Sequence, residues 1–80
     1  MTNLDKLITG FSTALGIEPS RVTDDLSYNA IAEWDSTAHM ILIAQLEGDF
    51  QLMLDTDDII DMSSFSQAKT ILAKYEVDFS

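Results

Sequence analysis

Apolar residues in this 80-residue chain recur at spacings of three and four, and no segment alternates in the manner of a strand. That period belongs to amphipathic helices. Leu4, Leu7, Ile8, Phe11 and Leu15 mark a first helix from about Thr2 or Asn3 to Leu15, stopped by Gly16 with Pro19 just beyond. Gly10 lies inside it at a cost of up to ~1 kcal/mol relative to Ala, which predicts an exposed or closely packed position. A second helix is expected from Ser36 to Phe50, since nothing from Ser36 to Glu47 is Gly or Pro. A short third helix fits Thr56–Met62, capped by Asp55 or Thr56, with Asp57 and Asp58 at the positive end of its dipole. A fourth follows Ser64, where Ser64-Phe65-Ser66-Gln67 matches a capping box and Phe65, Ala68, Ile71, Leu72 and Tyr75 form one stripe. The expected fold is all-α: a four-helix bundle with a long first loop and a short third helix, in a single domain over residues 1–80.

The 19 residues from Ile17 to Asp35 hold no sustained period. Turn and cap formers (Glu18, Pro19, Ser20, Thr23, Asp24, Asp25, Ser27, Asn29) alternate with Val22, Leu26, Tyr28 and Ile31. A loop of this length in a small domain is functional or partly structured. Its apolar residues predict a segment pinned across the core, with a short helical turn around Val22–Leu26.

Charge narrows the function. Four basic residues oppose fourteen acidic ones for a net charge of −10, and between Arg21 and Lys69 every charged residue is an acid. Phosphate contacts need Lys and Arg, so nucleic-acid binding is not expected, and an anionic membrane surface repels such a chain. A field of one sign steers encounter with basic partners or serves solubility alone. With 46% hydrophobic residues in regular spacing, a folded core is expected rather than disorder. There is no cysteine for a disulfide or thiolate chemistry. No apolar run suits a membrane span and no signal-peptide pattern opens the chain, so a cytoplasmic monomer is expected.

The second helix carries apolar residues on both sides. At about 100° per residue, His39, Leu42, Ile43, Leu46 and Phe50 share one arc, the expected core face. Thr37, Met40, Ile41, Ala44 and Gly48 fall near the opposite side, where a surface helix is normally polar. An apolar strip beside Glu47 has the form of a docking face, unless the long loop or third helix covers it. At the start of the helix Asp35 is the expected N-cap. Trp34 and His39 then stand where a hydrophobic staple packs, which accounts for both without chemistry.

Ser36 follows the cap. A nucleophilic serine needs a base within reach, and the only histidine, His39, belongs to the core arc. No G-x-S-x-G elbow surrounds it. Asp55-Thr56-Asp57-Asp58 lacks the central Gly and closing Glu of a calcium loop, so no metal site is expected. A non-catalytic protein is the expectation.

The run Trp34-Asp35-Ser36-Thr37-Ala38-His39-Met40, continued by Leu46-Glu47 and Phe50, resembles the W-D-S-x-x-H-x-x-L/I…L-E…F pattern of stand-alone acyl carrier proteins. The resemblance extends along the chain. Leu15-Gly16-Ile17 matches the end of that family's first helix, Asp57-Asp58-Ile59-Ile60 its short third helix, and Phe65-Ser66-Gln67-Ala68 the opening of its fourth. It implies that Ser36 carries 4′-phosphopantetheine in a phosphodiester bond, supplied from coenzyme A with magnesium by a phosphopantetheinyl transferase that recognises Asp35. It also implies a partner surface of Thr37, Met40, Ile41, Ala44, Glu47, Asp57 and Ile60. Implied partners are an acyl-loading ligase or acyltransferase and synthase or ketosynthase-type enzymes with basic docking surfaces, in fatty-acid, polyketide or specialised biosynthesis.

Two positions depart from the pattern. Thr37 stands where the family commonly has Leu, and Glu33 where Gly is frequent; both favour a dedicated carrier of a specialised pathway. An aminoacyl or peptidyl carrier is the alternative within the resemblance, with Asp35 in place of His favouring the acyl branch. An unmodified acidic helical module that binds a basic partner is the alternative outside it.

Overall fold

A computed structural model describes residues 2–79. Four helices are present among them: α1 (Asn3–Leu15), α2 (Ser36–Phe50), α3 (Thr56–Asp61) and α4 (Phe65–Lys74). No strand occurs among the described residues; the sole sheet-like pairing is a single antiparallel bridge between Ser27 and Ser64. Among the described residues no helix is long and apolar enough to cross a membrane.

Local chemistry sets the boundaries. Thr2 Oγ1 accepts from the Asp5 amide at 3.1 Å, which starts α1. Gly16 ends it at φ +69°, a left-handed conformation that suits a residue without Cβ. Asp35 Oδ1 accepts from the Ala38 amide at 2.8 Å and opens α2. Gln51 closes α2 at φ +54°, so a residue with a side chain takes the left-handed position there. Ser64 Oγ accepts from the Gln67 amide at 2.9 Å, one half of the expected capping box.

Two expectations about local helix are corrected. α3 ends at Asp61, with Met62 as its C-cap, and Asp55 holds the N-cap position without a side-chain capping bond. In the first loop the helical turn lies at Pro19–Arg21, a 3-10 turn, rather than at Val22–Leu26. Proline with its φ already set initiates it. Residues 23–26 instead form a turn closed by Leu26 N–H to Thr23 carbonyl at 3.0 Å.

The core gathers Leu7, Phe11 and Leu15 of α1, Leu42, Ile43 and Leu46 of α2, and Phe65, Ala68, Ile71 and Leu72 of α4. Phe11 is its centre, edge-on to Trp34 at 5.5 Å and to Phe65 at 5.1 Å between ring centroids. Gly10 is buried against α2, where a Cβ would stand 3.1 Å from Asp49 Oδ2 and 3.2 Å from Leu46 Cδ2. The missing side chain lets α1 and α2 approach.

The long loop is pinned, as its apolar residues predict. Val22, Leu26 and Trp34 are buried. The Tyr28 amide donates to the Ser63 carbonyl at 2.8 Å and the Phe65 amide to the Leu26 carbonyl at 2.9 Å. These bonds hold the loop across the α3–α4 junction, so Tyr28 stands beside the start of α2. Surface pairs between Arg21 and Glu33 (3.2 Å) and between Lys69 and Asp24 (2.7 Å) brace its flanks. Glu33 is held below the ordinary carboxylate range by its own backbone and then by Arg21.

Candidate functional site

Asp35 takes over the capping of α2, and that leaves the serine after it without structural work. Ser36 is exposed at the first helical position, and its hydroxyl makes no hydrogen bond to the described residues. The first amides of a helix lack intrahelical acceptors. The Ala38 amide goes to Asp35 Oδ1 and the His39 amide to the Asp35 carbonyl. Those of Ser36 and Thr37 have no backbone partner among the described residues, and the helix presents its positive end beside the Ser36 oxygen.

Behind this turn, Trp34 is fully buried. Its ring stacks on His39 with centroids 6.0 Å apart and planes 22° apart, the contact expected of a staple. The indole N–H also donates to His39 Nδ1 at 3.1 Å. With Nδ1 accepting, the imidazole proton belongs on Nε2, which donates to the Ile59 carbonyl at 2.8 Å. His39 therefore ties the start of α2 to α3, and neither ring nitrogen serves Ser36. Among the described residues, no group of three or more metal-ligating side chains is placed to hold an ion.

Ser36 stands at the junction of two apolar concavities. One is a cleft of about 340 Å³ between α2 and α3, lined by Ser36, His39, Met40, Ile59, Ile60 and Met62, with Tyr28 and Ser63 at its side. The other is a shallow open trough of about 630 Å³ along the outer face of α2, formed by Ser36, Thr37, Met40, Ile41 and Ala44. Met40 separates them and belongs to both.

The outer strip of α2 is open. Met40 and Ile41 are 57% and 53% exposed, and Thr37, Ala44 and Gly48 are exposed as well. Neither the long loop nor α3 covers them. Ile60 is 71% exposed and shares the cleft with Met40, while Asp57 is exposed in the first turn of α3 outside both linings. Glu47, expected at the charged rim of the strip, has one carboxylate oxygen engaged. It is half-buried, and its Oε2 accepts from the Leu54 amide at 2.9 Å, so it fastens the segment after α2.

Tyr28, Ile59, Met62 and Ser63 belong to the site but were not among its expected residues. Tyr28 was visible as an aromatic among turn formers. Its place beside Ser36 depends on pairing with Ser63, 35 residues away in sequence, which local periodicity does not encode. Comparisons of the chain with protein-family models, curated proteins and solved structures return no match.

Proposed function

We propose that this protein is an acyl carrier, with Ser36 as the attachment point of 4′-phosphopantetheine. The observation that supports this best is the exposed Ser36 hydroxyl, relieved of capping by Asp35 and set at the positive end of a 15-residue helix. A phosphodiester is an anion, and a helix N-terminus with free amides favours one. The residues present thus fit the group: Ser36 supplies the ester oxygen, the amides of Ser36 and Thr37 supply positive potential, and Asp35 fixes the turn. When bound, the group contributes a thiol on a flexible arm, on which an acyl cargo rides as a thioester. Tethering raises the local concentration of that cargo at each partner enzyme.

The exposed strip of Thr37, Met40, Ile41 and Ala44, with Ile60 and Asp57 on α3, supplies the docking surface in this reading. Acidic surroundings speed encounter with a basic partner, and a small apolar contact permits release. Thr37 and Glu33 favour a dedicated carrier of a specialised pathway over a general fatty-acid carrier. Partners in this reading are a phosphopantetheinyl transferase, an acyl-loading ligase or acyltransferase, and synthase-type enzymes.

The test is intact-mass measurement after incubation with coenzyme A, magnesium and a broad-specificity phosphopantetheinyl transferase. The expected result is a mass gain of one phosphopantetheinyl group. No gain under conditions that modify a control carrier contradicts the proposal and favours an unmodified acidic interaction module.

A further inference from the structure

Asp58 is the only buried charged residue among those described, 7% exposed, and the carrier reading makes no use of it. It belongs to α3, whose six residues are too few to hold a helix alone in water. The position of α3 therefore depends on what it touches. Its own apolar contribution is small, because Ile59 is only half-buried and Ile60 projects outward.

Polar contacts hold α3 from two sides. On one side Asp58 Oδ1 accepts from Lys74 Nζ and Oδ2 from the Tyr75 hydroxyl, each at 2.6 Å. The same hydroxyl accepts from the Asp55 amide at 3.0 Å, so the end of α4 grips both the carboxylate and the backbone that leads into α3. On the other side the carbonyl of Ile59 accepts from His39 of α2. The cleft beside Ser36 lies on this second side, with Ile59 and Ile60 in its wall. Phe11, Leu42, Leu46 and Leu72 of α1, α2 and α4 lie in one buried cluster, which α3 joins only through half-buried Ile59 and through Met62 at its C-terminal end.

We propose that Asp58 is a positioning residue that keeps α3 in place as the movable wall of the cleft beside Ser36. While Lys74 and Tyr75 clamp its carboxylate, the wall stays against α2. When the clamp is lost, α3 opens locally and α1, α2 and α4 remain folded. On the carrier reading, on which only this consequence rests, the clamp sets how much apolar surface a group tethered at Ser36 meets.

Residue-resolved amide hydrogen exchange of the unmodified protein tests the clamp. Asp58→Asn removes the charge and Tyr75→Phe removes one hydroxyl while keeping the ring. The Ile59 and Met62 amides, which close α3 by donating to the Asp55 and Asp58 carbonyls, report the opening. Loss of charged hydrogen bonds predicts about tenfold or greater loss of their protection in Asp58→Asn, with a smaller loss in Tyr75→Phe. The Leu42, Leu46 and Ile71 amides should keep wild-type protection, and exchange in α3 should be insensitive to low urea, as local opening requires. Unchanged α3 protection, or a loss shared equally by α1, α2 and α4, overturns the proposal. If Asp58→Asn does not fold, Tyr75→Phe decides by the same criteria. Because no phosphopantetheine is involved, failure here is distinguishable from failure of Ser36 to accept the group.

Discussion

Trp34 Nε1 donates to His39 Nδ1 at 3.1 Å while the two rings stack, and His39 passes the connection on to the Ile59 carbonyl. One imidazole thus joins the end of the long loop, the first turns of α2 and the middle of α3. A buried donor left without a partner is costly, so the fully buried Trp34 makes the identity of residue 39 matter.

His39→Phe keeps a ring against Trp34 and removes the nitrogen that accepts its N–H. The expected destabilisation is about 1–3 kcal/mol, the cost of an unsatisfied buried group. Urea unfolding followed by fluorescence of Trp34, the only tryptophan, measures it directly. An unchanged midpoint contradicts the connection described above.

Gly10→Ala separates propensity from packing. In an open helix Ala gains about 0.8–1.0 kcal/mol over Gly. Here the new methyl meets Leu46 and an Asp49 carboxylate already held by Gln45. Overpacking of about 1–3 kcal/mol should exceed the gain. The expected outcome is a lower melting temperature; a higher one means that α2 yields easily at Leu46 and Asp49.

How far the sequence reaches is visible in α2 and α3. Asp35, Trp34 and His39 occupy fixed offsets around one helix start, so the cap and the staple contact were legible. The apolar strip opposite Leu42 and Leu46 was legible from the same periodicity, whereas its openness, uncovered by the long loop or α3, is visible only in the fold. Their place in the first turn marks Asp57 and Asp58 alike as dipole residues, yet only Asp58 turns inward to Lys74 and Tyr75. That difference arises from how α3 packs on α4, 16 and 17 residues on, where helical spacing is silent. The bond that Glu47 makes is hidden from the sequence for a related reason. Its partner, the Leu54 amide, lies beyond the helix end, and the left-handed turn at Gln51 that brings it back has no glycine to announce it. In the loop, Pro19 signalled a turn but not which residues would follow it into 3-10 geometry.

Acid should weaken the clamp. Asp58 lies below its ordinary value of 3.8, first through the Lys74 hydrogen bond and then through that of Tyr75. A carboxylate lowered in the folded state adds stability that is present above its unfolded value and is lost as pH falls through the folded one. Lys74 and Tyr75 are raised by the same contact with Asp58, so both keep their protons throughout this window. Urea midpoints of wild type and Asp58→Asn should therefore differ at pH 7 and converge below pH 3.8. A gap that stays constant on acidification contradicts the charged clamp. Comparing two variants cancels the relief of self-repulsion that a chain of net charge −10 gains in acid.

On the carrier reading, the exposed strip of α2 and Glu47 should respond differently to substitution. Met40→Ala and Asp57→Lys alter exposed positions, and stability should change by about 0.5 kcal/mol or less for the first and about 0.3–1 kcal/mol for the second, which meets a helix dipole. Both should slow acyl transfer to a partner enzyme, and the Asp57→Lys effect should shrink with added salt. Glu47→Lys should instead destabilise the fold by orphaning the Leu54 amide. Loss of fold in Met40→Ala, or normal transfer by both surface variants, contradicts the assignment of the strip.

The central claim concerns one oxygen, the hydroxyl that Asp35 leaves free. Fragment mapping by tandem mass spectrometry, after incubation with coenzyme A, magnesium and a phosphopantetheinyl transferase, tests it most directly. Trypsin leaves Ser36 and Thr37 on one long peptide, because no Lys or Arg lies between Arg21 and Lys69, so cleavage at acidic residues is the better choice. The account predicts one phosphopantetheinyl group on Ser36, none on Thr37, and no addition to Ser36→Ala. A group found on Thr37 or elsewhere, or retained in Ser36→Ala, contradicts it.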